Sequence, residues 1–421
     1  MWWLRPDRLI LVRMTLHLLS LLVAVTGCTP KSSITCGEGT RLEDGVCVPD
    51  DATGDSGAVD TAGGDDSDDS GETGASDSGA DTDAPDTDEP PDTGTPVGDD
   101  GWPARFFAPF VDASAYPIQK LGDISDATGV LHYQLGFIVD ATGSACDASR
   151  GTYYTVEVGP SSWGSGEEFL YDELARVRAA GGDVLASFGG AANTPLASSC
   201  GDVASLTAQY RRVVDALSLT HIDFDVEGYW VADAASIERR ALAAAALQAE
   251  RAAEGLPLSI WLTLPVLPTG LTPDGVAVVE AMRDAGVALA GVNIMTMDYG
   301  DGAAPDPDGQ MGAYAIQALE SLHGQLGVVY AAEGLSDAAL WARTGVTPMI
   351  GLNDVMTETF YLSDAEELLG FAQKKGVGQL SMWSMNRDHP CPDQTWVGLD
   401  CSSTPDQTSD YQFSAIFADM E

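Results

Sequence analysis

The chain has 421 residues and a formal net charge of −44, with 64 acids against 20 lysines and arginines. That balance excludes a protein that grips nucleic acid through basic patches and suits one that acts on a neutral substrate. The charge is uneven: residues 51–100 hold 17 acids and no Lys or Arg, whereas residues 101–421 hold 42 acids against 15 bases.

Residues 1–28 read as a targeting segment. Arg5, Arg8 and Arg13 make a basic start, and the apolar stretch 16–25 is too short for a membrane span. It ends in Val25-Thr26-Gly27-Cys28, which resembles the lipobox of bacterial lipoproteins and implies lipidation of Cys28. The expected location is therefore the bacterial cell surface or outer membrane, held by a lipid anchor. With Cys28 set apart, six cysteines remain. Proximity in the chain suggests Cys36–Cys47 and Cys391–Cys401, and elimination leaves Cys146–Cys200. No C-x-x-C pair or histidine cluster suggests zinc, and the expectation is no metal and no cofactor.

Residues 29–50 form a small Cys36/Cys47 loop too short for a core. Residues 51–100 are Asp, Gly, Ser, Thr and Pro with few large apolar side chains, and such a composition cannot offset its chain entropy. We read this stretch as a disordered acidic linker, extended by like-charge repulsion.

From residue 101 to 421, apolar strand-like runs alternate with helical stretches. The strand candidates are 106–112, 131–139, 184–188, 222–227, 258–265, 292–298, 346–351 and 379–384. Helical stretches include 206–217, 232–253, 275–285 and 365–374. Eight strands with intervening helices predict an α/β fold, a (β/α)8 TIM barrel, with its chemistry at the C-terminal strand ends. A doubly wound sheet is the structural alternative, but no Gly-rich dinucleotide turn follows the first strand.

The fourth run is His221-Ile222-Asp223-Phe224-Asp225-Val226-Glu227-Gly228. Alternate strand residues share a face, so Asp223, Asp225 and Glu227 form a column with steps of about 6.5–7 Å. The apolar residues between them argue for burial. Like charges so close cannot all ionise, so at least one holds a proton near neutral pH. Glu227 stands at the strand end, where a proton-holding carboxyl serves as a general acid. Repulsion from Asp225 is expected to raise its pKa. From the residues alone, a solvated face and an oxygen-ligand cation site remain open readings.

The run resembles the D-x-x-D-x-D-x-E signature of the family 18 glycoside hydrolases, the chitinase family. Asp223, Asp225 and Glu227 match its last three acids, while Thr220 and His221 replace its first acid and the Gly after it. Ser187-Phe188-Gly189-Gly190 resembles the family's S-x-G-G motif, and its Ser187 hydroxyl is expected to bond Asp223. Met295-Thr296-Met297-Asp298-Tyr299 resembles M-x-Y-D with Met297 in the tyrosine position, and Tyr299 is expected to supply the missing hydroxyl. Trp383 resembles the aromatic floor beneath the bound sugar, and the resemblance implies a cis bond from Trp383 to Ser384. Trp163, Trp230 and Trp261 are each open to two readings, a further sugar platform or a structural role.

The resemblance implies a retaining, substrate-assisted glycosidase acting on a chitin polysaccharide or oligosaccharide; a monomer is a separate expectation. Glu227 is then the acid and base, Asp225 the orienting carboxylate and Asp223 its charge partner. Asp298 and Tyr299 hold the acetamido oxygen. An endo-β-N-acetylglucosaminidase acting on N-glycans shares the signature, and a non-catalytic carbohydrate-binding lipoprotein is the reading from another class.

Overall fold

Eight parallel strands close on themselves through a first strand that is broken. The structure, a computed structural model, describes residues 40–43, 46–49 and 101–420 apart from 116–117, 153–155, 157–165 and 392, with backbone alone for 40–43, 46–49 and 166–171. Strand β1 comes in two pieces, Phe106–Phe107 and Phe110–Asp112. The others are β2 His132–Asp140, β3 Asp183–Gly189, β4 His221–Asp225, β5 Ser259–Pro265, β6 Leu289–Thr296, β7 Thr344–Pro348 and β8 Gln379–Leu380. Each pairs with the next in order. The first piece of β1 pairs with β8 and the second with β2, which shuts the ring. Pro109 sits at the break; it has no N–H to give, but its carbonyl accepts from Gln134 N at 3.0 Å.

Helices lie between the strands: α1 Leu121–Thr128, α2 Gly166–Ala179, α3 Val203–Leu217, α4 Ala234–Ala253, α5 Pro273–Asp284, α6 Met311–Val329 and α7 Leu362–Lys375. An eighth, α8, spans Gln412–Phe417. Local chemistry sets several of their starts. Asp202 caps α3 by accepting Ser205 N–H at 2.8 Å. Thr272 caps α5 ahead of Pro273 at its first position. The outward residues Ile222, Phe224 and Val226 of the fourth run are buried in the core between strands and helices.

The paired part of β4 ends at Asp225, two residues earlier than the sequence pattern predicts. The backbone stays extended through Glu227 and then enters a 3-10 turn, Gly228–Val231. Disulfides join Cys146 to Cys200 and Cys391 to Cys401, with Cα atoms 4.4 and 5.9 Å apart. Cys28 and Cys36 lie outside the described residues, as does the acidic stretch. In the other chain segment, Thr40–Glu43 pairs antiparallel with Val46–Pro49, setting Leu42 opposite Cys47.

Candidate active site

The middle of the barrel is filled by polar side chains from seven strands. Asp223, wholly buried, accepts three hydrogen bonds: from Ser187 Oγ at 2.6 Å, Thr263 Oγ1 at 2.8 Å and Gln134 Nε2 at 3.0 Å. Register places Ser187 and Trp261 beside Asp223, and Thr263 beside Asp225. The chain of bonds goes on around the barrel. Asn293 Nδ2 donates to Thr263 Oγ1 at 3.0 Å and to Thr347 Oγ1 at 2.8 Å, and Thr347 Oγ1 returns a bond to Asn293 Oδ1 at 3.0 Å. Gln379 Nε2 donates to Gln134 Oε1 at 2.8 Å. Burial pushes Asp223 up to about 7, against the pull of its three donors.

Above this layer Asp225 and Glu227 act on each other. Burial, then the charges of Glu227 and Asp223, push Asp225 well above the usual carboxylate range. Burial pushes Glu227 up to about 6, while a hydrogen bond from Asp225 pulls it down and the Asp298 charge pushes it up. The expected cause, repulsion of Glu227 by Asp225, is thus corrected: Asp225 lowers Glu227 through a hydrogen bond, and lost hydration raises both. Asp225 Oδ1 is buried with no protein partner among the described residues.

Asp225 and Glu227 open into a cleft of about 250 Å³. Met295, Met297, Asp298, Thr347 and Met349 line it from β6 and β7, with Phe110, Phe137 and Trp383 as its aromatic side and Ala191, Asp354 and Leu399 at its margin. The Phe137 and Trp383 rings stack at 5.7 Å, and Phe110 lies 5.7 Å from Phe137 and 6.0 Å from Trp383. The Trp383–Ser384 bond is cis, as expected, and so is Gly136–Phe137, which the sequence reading missed.

Gly189 and Gly190 explain the second motif. Both have positive φ, 122° and 87°. A Cβ on Gly189 would meet Asp225 O at 1.9 Å, and one on Gly190 would meet the Phe137 ring at 2.7 Å. Only glycine lets β3 turn away this close to the acids.

Tyr299 is a correction. Asp298 takes a left-handed φ of 52°, and its Oδ1 accepts Val355 N–H at 2.8 Å. The buried Glu358 accepts Tyr299 N–H at 3.1 Å and Gly300 N–H at 2.7 Å. The turn sends the Tyr299 ring into the core, 6.2 Å from Tyr314, and away from the cleft lining. Tyr299 is therefore not among the residues that line the cleft, and among the described residues none that lines it is a tyrosine. Of the two readings of Trp261 the structural one fits: it packs on Phe106 at 5.8 Å in the opposite end of the barrel. Trp230 is half-buried against the core, and Trp163 lies outside the described residues. Sequence reading also missed Gln134, Thr263 and Asn293; polar residues alternating with apolar ones inside predicted strands were the available signal.

No protein-family profile matches the chain. It is 42% identical over 334 residues to "Probable bifunctional chitinase/lysozyme" of Escherichia coli (strain K12), a match covering 77% of this chain and 35% of that protein. It is also 42% identical over 301 residues to "Endochitinase 11" of Metarhizium anisopliae, covering 70% and 55%. The chain thus spans between about a third and just over half of the length of these curated relatives. The solved catalytic domain of the hyperthermophilic chitinase from Pyrococcus furiosus superposes with a TM-score of 0.65 at 30% identity, covering 76% of this chain and 95% of that one.

Proposed function

This chain belongs to the family 18 chitinases, and on that premise we propose that it hydrolyses β-1,4 linkages between N-acetylglucosamine residues in chitin or its oligosaccharides. The observation that carries this reading is the Asp225–Glu227 pair lining the cleft, next along the chain from the wholly buried Asp223. Most glycosidases flank the scissile bond with two carboxyl groups, whereas these acids follow one another along a single run of chain. The acetamido oxygen of the sugar then serves as nucleophile in place of a protein carboxylate.

Glu227 gives its proton to the leaving glycosidic oxygen as the acetamido oxygen bonds to the anomeric carbon. Asp225 turns its unpartnered Oδ1 to the acetamido N–H and balances the positive oxazolinium ring. Asp223 sets the charge that Asp225 can carry. Asp298, its carboxyl pushed up by burial, is available to hold the acetamido oxygen. Glu227, now a carboxylate, takes a proton from water, and the hydroxide so formed opens the ring with the β-configuration retained. Trp383, Met295 and Met297 give the sugar an apolar seat.

The same proposal covers the chain before the barrel. Cys28 carries the lipid, residues 51–100 form the linker, and residues 101–421 act as a monomeric catalytic domain outside the cytoplasm. The lipobox-like run and the acidic composition support this. Detergent phase partitioning of wild type and Cys28→Ser tests the anchor, and equal partitioning into the aqueous phase refutes it.

Proton NMR of fresh digests tests the reaction on three substrates: chitin oligomers, a high-mannose glycopeptide and peptidoglycan, the last because the E. coli relative is named for lysozyme as well. Cleavage of chitin oligomers to a β-anomer is the expected result. Cleavage of the glycopeptide alone moves the substrate to N-glycans, and binding without cleavage leaves a carbohydrate-binding protein.

A further inference from the structure

Beyond β8 the chain returns to the cleft under unusual restraint. After Trp383 it makes a short turn, Met385–Arg387. The Arg387 side chain is 1% exposed, yet it carries a guanidinium. That group donates to Ile350 O at 3.0 Å, to Leu352 O at 2.7 Å and to Gly398 O. The three carbonyls belong to two separate segments, and each segment delivers a residue to the cleft: Asp354 follows the first and Leu399 the second.

The second segment is closed by the Cys391–Cys401 disulfide. Inside it Gln394 Nε2 donates to Trp396 O at 3.0 Å, and just beyond it Ser403 Oγ accepts from Gln394 Nε2 at 3.1 Å and donates to Trp396 O at 2.9 Å. The surroundings of Gly398 are close: a Cβ there would meet Gln394 Nε2 at 2.6 Å and Cys401 Sγ at 3.0 Å. This cross-linked piece of chain nevertheless holds Leu399 out at 84% exposure, among the residues of the cavity that Trp383 lines. Tight anchoring of an exposed apolar residue beside a sugar cleft is pre-organisation for a ligand, since the ordering cost is met before binding.

We propose that the segment 393–401 is an outer wall of the sugar cleft, in which Leu399 meets the apolar C–H face of a bound pyranose. Arg387 and the Cys391–Cys401 disulfide are positioning groups that hold this wall. The inference rests on the chitin reading above and adds a determinant of affinity that takes no part in bond cleavage.

The test is steady-state kinetics on soluble chitin oligomers, with calorimetric binding in a Glu227→Gln background. Leu399 is exposed, so Leu399→Ala folds as wild type does. It should raise KM about 10-fold with kcat within about twofold, and weaken binding by the same factor. The Cys391→Ser/Cys401→Ser double variant and Arg387→Lys should move KM in the same direction, again without a matching fall in kcat. Wild-type KM and affinity in Leu399→Ala overturn the wall. An unchanged KM in both positioning variants, beside a raised one in Leu399→Ala, overturns their role. A wild-type protein that neither binds nor cleaves the oligomers overturns the chitin reading itself, and this inference with it.

Discussion

The two ends of the barrel are built by the same strands and filled in opposite ways. At the N-terminal end the interior is an aromatic plug. Trp102 stacks on His221 at 4.3 Å and lies 4.4 Å from His132, with Phe106 edge-on at 5.0 Å. At the C-terminal end the interior is a polar ring opening into a cleft with Asp225, Glu227 and Trp383. Strand β4 runs through both: His221 sits in the plug, Asp223 in the ring and Asp225 at the cleft. The same inward positions thus go from stability to chemistry over five residues. What separates them is hydration, because the plug end is sealed by rings while the other end admits a ligand.

The largest effect should come from the mouth. Glu227→Gln keeps shape and removes the proton, so kcat on chitin oligomers should fall by about 10²–10⁴-fold or more with the melting temperature preserved. Near wild-type kcat would break the division between the two ends. At the plug, Trp102→Ala should cost about 3–5 kcal/mol in denaturant unfolding, and the pH profile of the surviving activity should keep its shape. A shifted profile would mean that the ends are coupled.

The polar ring gives the next effect. Asp223 rises from its ordinary 3.8 to about 7 on folding. The folded state therefore holds the proton more tightly than the unfolded chain does. Relative to Asp223→Asn, the wild type is most stable below about pH 4 and loses stability as the pH rises through about 7, by roughly 4 kcal/mol over that window if the group acts alone. Unfolding midpoints measured from pH 4 to 8 check this, and parallel curves for the two proteins would contradict it.

Glu227 at about 6 sets the activity limb: kcat/KM should decline as the pH rises above that value, since the acid form is consumed. The smallest effect sharpens the picture of the ring. Ser187→Ala removes the 2.6 Å donor to Asp223 and strands no other group. Its absence should raise the Asp223 pKa further, and the pH–kcat profile should shift by about one unit or less. An unmoved profile would separate the ring from the chemistry.

Much of this was legible in the chain because strand period and barrel position are local properties. Alternation put Asp223 and Asp225 on one face, and β-branched and aromatic spacers marked that strand as buried. The glycines of Ser187-Phe188-Gly189-Gly190 marked a tight turn. Two disulfide pairings followed from spacing and elimination, and both are closed in the structure. The break of β1 at Pro109 was within reach of the sequence too, since a proline inside a strand run is a warning.

Tertiary structure decided the rest, for reasons of packing. Tyr299 looked like a substrate ligand by adjacency. The left-handed turn at Asp298, clamped by Val355 and by Glu358 from 57 to 59 residues away in the chain, turns it into the core. Trp261 had a sugar-platform reading beside a structural one; it fills the plug end, where Gly291 leaves it space: a Cβ there would meet its ring at 2.2 Å. Gln134 and Thr263 are ordinary polar residues until two different strands bring them round one carboxyl, and Asn293 until a third sets it behind Thr263. The sequence by itself determined which residues face inward and that some of them are acids. Which of those acids are dry and which meet the cleft depends on neighbours brought in from other strands, and burial energy is a property of that neighbourhood.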